Sequence, residues 1–307
     1  MKRLLNIDGG GVRVYFPLLI LDYIEQKTGK KILDLFDYYS GVSASSIVLS
    51  ALLTKYTVKD ILTIFKDLSK SIFYRSYYYS ITSGFGLFSS KYPDTNINSE
   101  FQKFFEDINL CDVKKPLSIL TYDLANSKPI CWHSHLKNHN AMITPKLWEI
   151  VRGSTAAPTY FPPYKIDLIS HTYLLVDGGV VTNNLSELIF THALTHFGKD
   201  ETFFQLSLGT GTYNSQLKYT PSGLLSWGTS IIDVFFKASS SYEMNELKKL
   251  SMLENLKYFY RLDINLENDI SLDDYNSFDT MDIIFDEWLQ KNRDYLDNIC
   301  NELLKTI

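Results

Sequence analysis

Short apolar strands alternating with helical runs predict an α/β domain whose sheet carries helices on both faces. Three passages lead to that reading. Leu4 to Ile7 is a buried-strand run that breaks at a glycine cluster and resumes as a helix. Leu35 to Ser40 turns as sharply, at Gly41-Val42-Ser43, into the apolar helical run Ala44 to Thr54. Leu117 to Leu124, Ile130 to His135, Tyr173 to Val176 and Phe203 to Leu208 then return as further strands between helical segments. Sheets built this way gather their functional loops at the ends of the strands.

Taken in order, Phe16, Leu19, Ile20, Tyr23 and Ile24 recur at helical spacing, and Gly29 is the residue type that closes such a helix. Val58 to Phe73 is amphipathic with a helical period. Tyr74 to Asn98 is crowded with Tyr, Phe, Gly and Ser and holds no period, which reads as a long loop. Its aromatic residues, Tyr74, Tyr77, Tyr78, Tyr79, Phe85 and Phe88, following Phe73, make it the place to seek a greasy rim or lid. Pro145 to Ala157 reads as a helix ended by Pro158, and Leu185 to Phe197 as another. The Asp- and Asn-rich stretch 212–307 is expected to continue one domain, 1–307, with helices around the sheet edge.

At 307 residues, 45% hydrophobic and 21% charged, the chain can bury a sizeable core and belongs with folded globular proteins. A formal net charge of −5 offers no global attraction to nucleic acid, which is not expected as a partner. Cys111, Cys131 and Cys300 are an odd number with no CxxC pair, as in a reducing interior. The N-terminal apolar run breaks after Leu4-Leu5, too soon for a secretory signal, and no run approaches the ~20 residues of a membrane span. The expected setting is intracellular and cytoplasmic, with membrane contact only peripheral.

Three local patterns carry chemistry. In Gly41-Val42-Ser43-Ala44-Ser45 a strand turns tightly into a helix and lifts the Ser43 hydroxyl clear of the sheet, although a serine between small residues is by itself more often a helix cap. In Asp8-Gly9-Gly10-Gly11-Val12-Arg13 several backbone N–H groups gather before a helix, which suits a phosphate or a developing oxyanion. The P-loop reading lacks Gly-Lys-Ser/Thr, and the dinucleotide reading lacks its last glycine, where Val14 stands. The oxyanion reading survives beside that of a plain glycine turn. In Val176-Asp177-Gly178-Gly179-Val180 an apolar strand delivers a carboxylate to a glycine turn, where an aspartate is commonly just a turn former.

The three together, in this order, resemble the patatin-like phospholipases, whose pattern is a DGGGxR loop, a GxSxG elbow and a later DGG or DGA aspartate. Ser154-Thr155-Ala156-Ala157-Pro158-Thr159-Tyr160-Phe161-Pro162-Pro163 and Leu206-Ser207-Leu208-Gly209-Thr210-Gly211 are similar to further family segments, so the resemblance spans about Leu4 to Gly211. It implies a three-layer α/β/α sandwich with a mostly parallel central sheet. It implies a lipid acyl hydrolase in which Ser43 attacks an ester carbonyl and Asp177 serves as its base without a histidine. Gly9, Gly10 and Gly11 would hold the oxyanion, Arg13 would brace the loop, meet a lipid phosphate or form a structural ion pair, and the substrate would be membrane or micellar lipid. Two positions depart from the pattern. Ser45 stands for the second elbow glycine, where its β-carbon is expected to crowd strand and helix, and Val14 stands for a loop glycine.

A serine, histidine and aspartate triad would need His192 or His196, which fall four apart inside a helical run. His133 and His135 share a strand face, but no carboxylate or cysteine is evident to complete a ligand set, so no catalytic metal and no cofactor is expected. The competing functions are a lipid-binding or storage protein that kept the fold and lost turnover, and a nucleotide-binding α/β protein, which leaves Ser43 and Asp177 without a purpose.

Overall fold

A computed structural model describes residues 1–135, 145–169, 171–213 and 255–307, and between the last two segments only Ile231, Val234, Phe235, Ala238, Ser239, Tyr242 and Asn245. The chain runs β1 (Lys2–Ile7), α1 (Tyr15–Thr28), α2 (Ile32–Leu35), β2 (Tyr38–Val42), α3 (Ala44–Thr54), α4 (Val58–Ile72), α5 (Tyr77–Thr82), α6 (Asp94–Phe105), β3 (Leu117–Asp123) and β4 (Lys128–His133). It continues through α7 (Leu147–Ser154), β5 (Tyr164–Leu168), β6 (His171–Asp177), α8 (Ser186–Phe197), β7 (Phe203–Leu208), β8 (Thr212–Tyr213), β9 (Leu256–Leu262), β10 (Asn265–Leu266) and α9 (Phe278–Lys305).

Strands β1 to β7 and β9 form one eight-stranded sheet. β3, β2, β1, β7 and β9 lie side by side and parallel, while β4, β5 and β6 add on antiparallel. The predicted α/β sheet with helices on both faces is therefore present, and it is mostly parallel. Strand alternation sorts the two faces. Leu5, Ile7 and Tyr39 join the larger core with residues of α1, α3, α4 and α7. Leu4, Tyr38 and Phe203 turn the other way, onto Ile189, Phe190 and Ala193 of α8.

The helix ends follow their sequence signals. Gly29 closes α1 at φ 67°, and a Thr57–Asp60 capping box opens α4. Four expectations need amending. Ile32 to Leu35 form a helical turn, anchored by the Ile32 N–H on Glu25, so β2 starts later, at Tyr38. The supposed loop 74–98 contains α5, opened by Ser76 accepting the Tyr79 N–H, and the start of α6. Its aromatic residues concealed the helix because Tyr77 and Tyr78 point to solvent rather than marking a buried face. β5, which the apolar pattern does not reveal, is a polar edge strand against β6. Past Gly211 the chain is not only helical, because β9 joins the sheet beside β7 before α9 packs on α1 through Asp282 to Tyr15 and Asp297 to Tyr23.

The pairing around β3 brings two distant strand ends together. One edge of β3 pairs continuously with β4 from Ser118 to Asp123. β2 occupies the other edge as far as Val42, opposite Leu120, and β6 occupies it from Asp177, opposite Thr121. Two strands thus meet end to end on one edge, and the residues leaving them, Ser43 and Asp177, emerge at the same point. The junction leaves no room for side chains: a β-carbon on Gly178 would lie 2.4 Å from the Leu120 carbonyl oxygen. Gly178→Ala should cost about 2–3 kcal/mol, seen in thermal melts as a Tm lower by roughly 4–10 °C.

Candidate active site

Ser43 sits between β2 and α3 at φ 58°, ψ −135°, a conformation that costs a non-glycine residue about 1–3 kcal/mol. The surroundings hold it there. Its N–H donates to Ser154 Oγ at 2.9 Å, and Ser154 Oγ donates to the Leu120 carbonyl at 2.8 Å. Its carbonyl accepts the Ser46 N–H at 3.0 Å and the Ser46 hydroxyl at 2.6 Å. The segment after α7 also positions the carboxylate, because the Asp177 N–H donates to the Ala156 carbonyl at 3.1 Å.

Ser45 does not crowd the elbow as expected. It is fully buried, accepts the Val42 N–H at 2.9 Å and shares its one hydroxyl proton between the Ile7 and Val42 carbonyls, each 2.8 Å away. The space comes from Gly41, where a β-carbon would lie 2.7 Å from Ser45 Oγ. Ser45 therefore ties β1, β2 and α3 together. Val14, the other departure, is buried in the main core.

Asp177 is fully buried. Oδ1 accepts the Gly179 N–H at 2.8 Å, and Oδ2 is enclosed with no hydrogen-bond partner among the described residues. Burial raises its pKa from 3.8 to about 7, with the neighbouring Ser43 hydroxyl and the Gly179 N–H pulling back. Ser43 is thus close enough to favour the ionised form, without meeting the geometry of a full hydrogen bond. The site holds a carboxyl that titrates near neutrality beside a serine hydroxyl.

The glycine loop runs against Ser43, whose Cβ would lie 3.1 Å from a β-carbon on Gly9. Of the three N–H groups expected to face an oxyanion, that of Gly9 is already engaged, on the Asn183 carbonyl at 3.2 Å. Those of Gly10 and Gly11 donate to no described residue. The Gly9 carbonyl is held by Asn183 Nδ2 at 2.9 Å and Thr210 Oγ1 at 2.8 Å. Gly11 needs its glycine, at φ +57° with the Leu272 carbonyl 2.0 Å from where a β-carbon would be. Arg13 is buried, and among the described residues its ion pair is a loose one, Nη1 to Asp269 at 3.8 Å.

Sequence reasoning missed the main brace of this loop. Arg261 at the end of β9 pairs with Asp8 through Nη1 to Oδ1 at 2.9 Å and Nη2 to Oδ2 at 2.7 Å, and binds Ser207 and Asp263 as well. Burial raises the Asp8 pKa to about 6, while Arg261 pulls it down. Asn6 bridges Asp8, Asn184, Ser186 and Ser207 beneath. The available signal was an arginine within an apolar strand, Tyr258-Phe259-Tyr260-Arg261-Leu262, where a lone buried cation requires a carboxylate.

Ser43 and Gly11 open on a narrow pocket whose walls are chiefly apolar, including Ile47, Phe65, Leu68, Ile72, Phe73, Ile97 and Phe161. Arg13 does not line it. Phe73 is the member of the expected aromatic rim that does. Tyr74, Tyr77, Tyr78, Phe85 and Phe88 are exposed on the surface instead. No histidine among the described residues lines the cavity. His192 and His196 on α8 gather with His133 and His135, and burial lowers the pKa of His135 to about 4 and disfavours the charged form of both helix histidines.

Among the described residues, the fold and site define an α/β protein whose elbow serine is accompanied by a carboxylate and by no histidine. That class has a family: the sequence profile described as Patatin-like phospholipase matches residues 5–190, and the chain belongs to this family. Among its relatives, Patatin-like protein 2 of Arabidopsis thaliana is 26% identical, covering 98% of this chain and 86% of that protein. Patatin-like protein 4 of the same plant is 24% identical, covering 89% and 79%. Patatin-T5 of Solanum tuberosum is 25% identical, covering 79% and 70%. Among solved structures, VipD from Legionella pneumophila aligns at TM-score 0.43 and 12% identity, over 93% of this chain and 67% of that one, a likeness too loose to add to the assignment.

Two substitutions test the braces by urea denaturation. Ser45→Ala leaves the Val42 N–H without its acceptor and should cost about 1–3 kcal/mol. Arg261→Met strands the Asp8 carboxylate and should cost about 3–5 kcal/mol, part of which Asp8→Asn in the same chain restores.

Proposed function

We propose that the protein is a lipid acyl hydrolase of phospholipase A type, cleaving fatty-acyl esters of phospholipids or glycolipids through an acyl-enzyme on Ser43, with Asp177 as the base of a dyad. The observation that carries this reading is the enclosed, half-satisfied carboxyl of Asp177, titrating near neutrality beside a serine held at a strained elbow. As Ser43 Oγ attacks the ester carbonyl, its proton passes to Asp177 and the carbonyl oxygen becomes an oxyanion. Gly10 and Gly11 supply the open N–H donors, each worth about 3–4 kcal/mol where such donors have been removed from other hydrolases. Collapse of the tetrahedral species returns the proton to the leaving alcohol. Water, deprotonated by the same carboxylate, then frees the fatty acid.

The apolar cavity beside Ser43 suits a fatty-acyl chain, and lipid in membranes or micelles is the partner this implies. No described helix is long and apolar enough to cross a membrane; the proposal has the protein meet lipid peripherally, from the aqueous side, in the cytoplasm. The rival of a binding or storage protein without turnover drew its support from Ser45 and Val14, both of which the fold accommodates.

Fluorophosphonate labelling should modify Ser43, and fatty-acid release from mixed phospholipid vesicles should accompany it. Ser43→Ala should abolish the label and lower release at least about 1,000-fold, and Asp177→Asn should lower release about 100- to 10,000-fold. A folded wild type that neither labels nor releases fatty acid refutes the proposal. Because the base must be ionised, kcat/KM should rise tenfold per pH unit below about 7 and level off above it.

Stability should run the other way. The Asp177 pKa is raised on folding from 3.8 to about 7, so the folded protein holds this proton more tightly than the unfolded chain. That contribution is complete below about pH 4 and is lost as pH rises to about 7. At pH 8 the buried carboxylate costs on the order of 4 kcal/mol, so Asp177→Asn should melt higher than wild type at pH 8, with the gap closing towards pH 4.

A further inference from the structure

The group of side chains beneath α8 has no part in the proposed hydrolysis. β4 alternates so that Cys131 and His133 share one face while Trp132 takes the other. His192 comes to them from α8, its ring 4.5 Å from that of His133. The ligand atoms of Cys131, His133 and His192 all lie within 4.8 Å of one another. The sequence offered two histidines on a strand and no cysteine to join them, because only the strand register and the crossing of α8 bring the third and fourth groups in.

We infer that Cys131, His133 and His192 form a binding site for a divalent cation of the zinc class, separate from the hydrolase site. One thiolate and two imidazoles are a donor set that selects zinc or its analogue cobalt over magnesium and calcium, which take oxygen. Zinc bonds of about 2.0–2.3 Å would draw the three atoms together by roughly 1 Å, within the reach of side-chain rotation.

Two further features are those of a metal site. His133 Nδ1 is held at 2.8 Å by Ser118 Oγ, the kind of second partner that orients a ligating imidazole. His192 Nδ1 is buried with no hydrogen-bond partner among the described residues, a cost that a bound cation would relieve. His135 Nδ1 is buried and unpartnered among the described residues as well, but its ring lies 5.4 Å from that of His133 and it stands outside the three-ligand group, leaving the fourth position to water.

On binding, the Cys131 thiol releases its proton to solvent and the sulfur bonds the metal, with no change of oxidation state. The cluster lies across the sheet from the cavity. Cys131 packs with Val42, Leu120 and Leu185, whereas the cavity walls Ile47, Phe65 and Ile97 share the opposite core with Ile119 and Trp132. Its role is therefore to pin β4 to α8 rather than to act on the substrate.

Metal-stripped full-length protein titrated with Co²⁺, followed by absorption, tests the site. Wild type should take up one equivalent and develop a thiolate-to-cobalt charge-transfer band together with the visible bands of a tetrahedral ion. Cys131→Ser should lose the charge-transfer band, His192→Ala should bind at least about tenfold more weakly, and Cys111→Ser, at an exposed cysteine, should match wild type. Zn²⁺ should raise the Tm of wild type and leave Cys131→Ser unmoved, with far-UV circular dichroism confirming that each variant is folded. Absence of the charge-transfer band in folded wild type overturns the inference without recourse to any variant. So does a band that persists in Cys131→Ser or vanishes in Cys111→Ser.

Discussion

One edge of β3 serves two strands, and the site depends on that sharing. β2 ends opposite Leu120 and β6 begins its exit opposite Thr121, so two chain segments more than a hundred residues apart leave the sheet at one place. A single uninterrupted neighbour along β3 would have kept Ser43 and Asp177 apart. The same crowding explains the small residues at the junction: Gly41 and Gly178 have no space for a β-carbon, and Ser154 fills the remaining gap with a hydroxyl that bonds the elbow to β3. Compactness here is the means by which a strained backbone is held.

The two buried aspartates beside the glycine loop show how environment separates like groups. Both are pushed up by burial, but Asp8 has Arg261 on both of its oxygens, whereas Asp177 has, among the described residues, a single N–H on one oxygen and a serine hydroxyl near by. The first is a fixture of the scaffold. The second retains a proton affinity near neutrality, as proton transfer at that pH requires. Opposite placements along adjoining elements thus yield one structural and one reactive carboxyl from the same residue type.

Much of this was legible in the sequence. α1, α4, α7 and α8 announced themselves by a periodic apolar face, and β1, α3 and β7 as apolar-rich runs buried almost throughout, with Gly29 closing α1 and Pro158 following α7. Ser43, Asp177 and the glycine loop are each ordinary turn or cap chemistry alone and stood out because the three occur together in the order of the family pattern. What escaped lacked a local signal. β5 is an edge strand half in solvent, α5 exposes its aromatic residues, and α2 depends on a capping contact from Glu25. Arg261 left only the faint signal of an arginine in an apolar strand, the Cys131 and His133 pair gains His192 only where α8 crosses β4, and Ser45 reads as a clash because its partner space, at Gly41, becomes visible only in three dimensions.

The pairing of Asp8 with Arg261 spans 253 residues. During synthesis the glycine loop leaves the ribosome well before β9, and its carboxylate lacks the Arg261 cation until β9 has emerged and docked beside β7. Contacts of such range are slow to form, since the intervening chain must be ordered before they close. The loop is therefore assembled late, and a nascent chain has its serine elbow long before it has the support that places the glycine N–H groups against it.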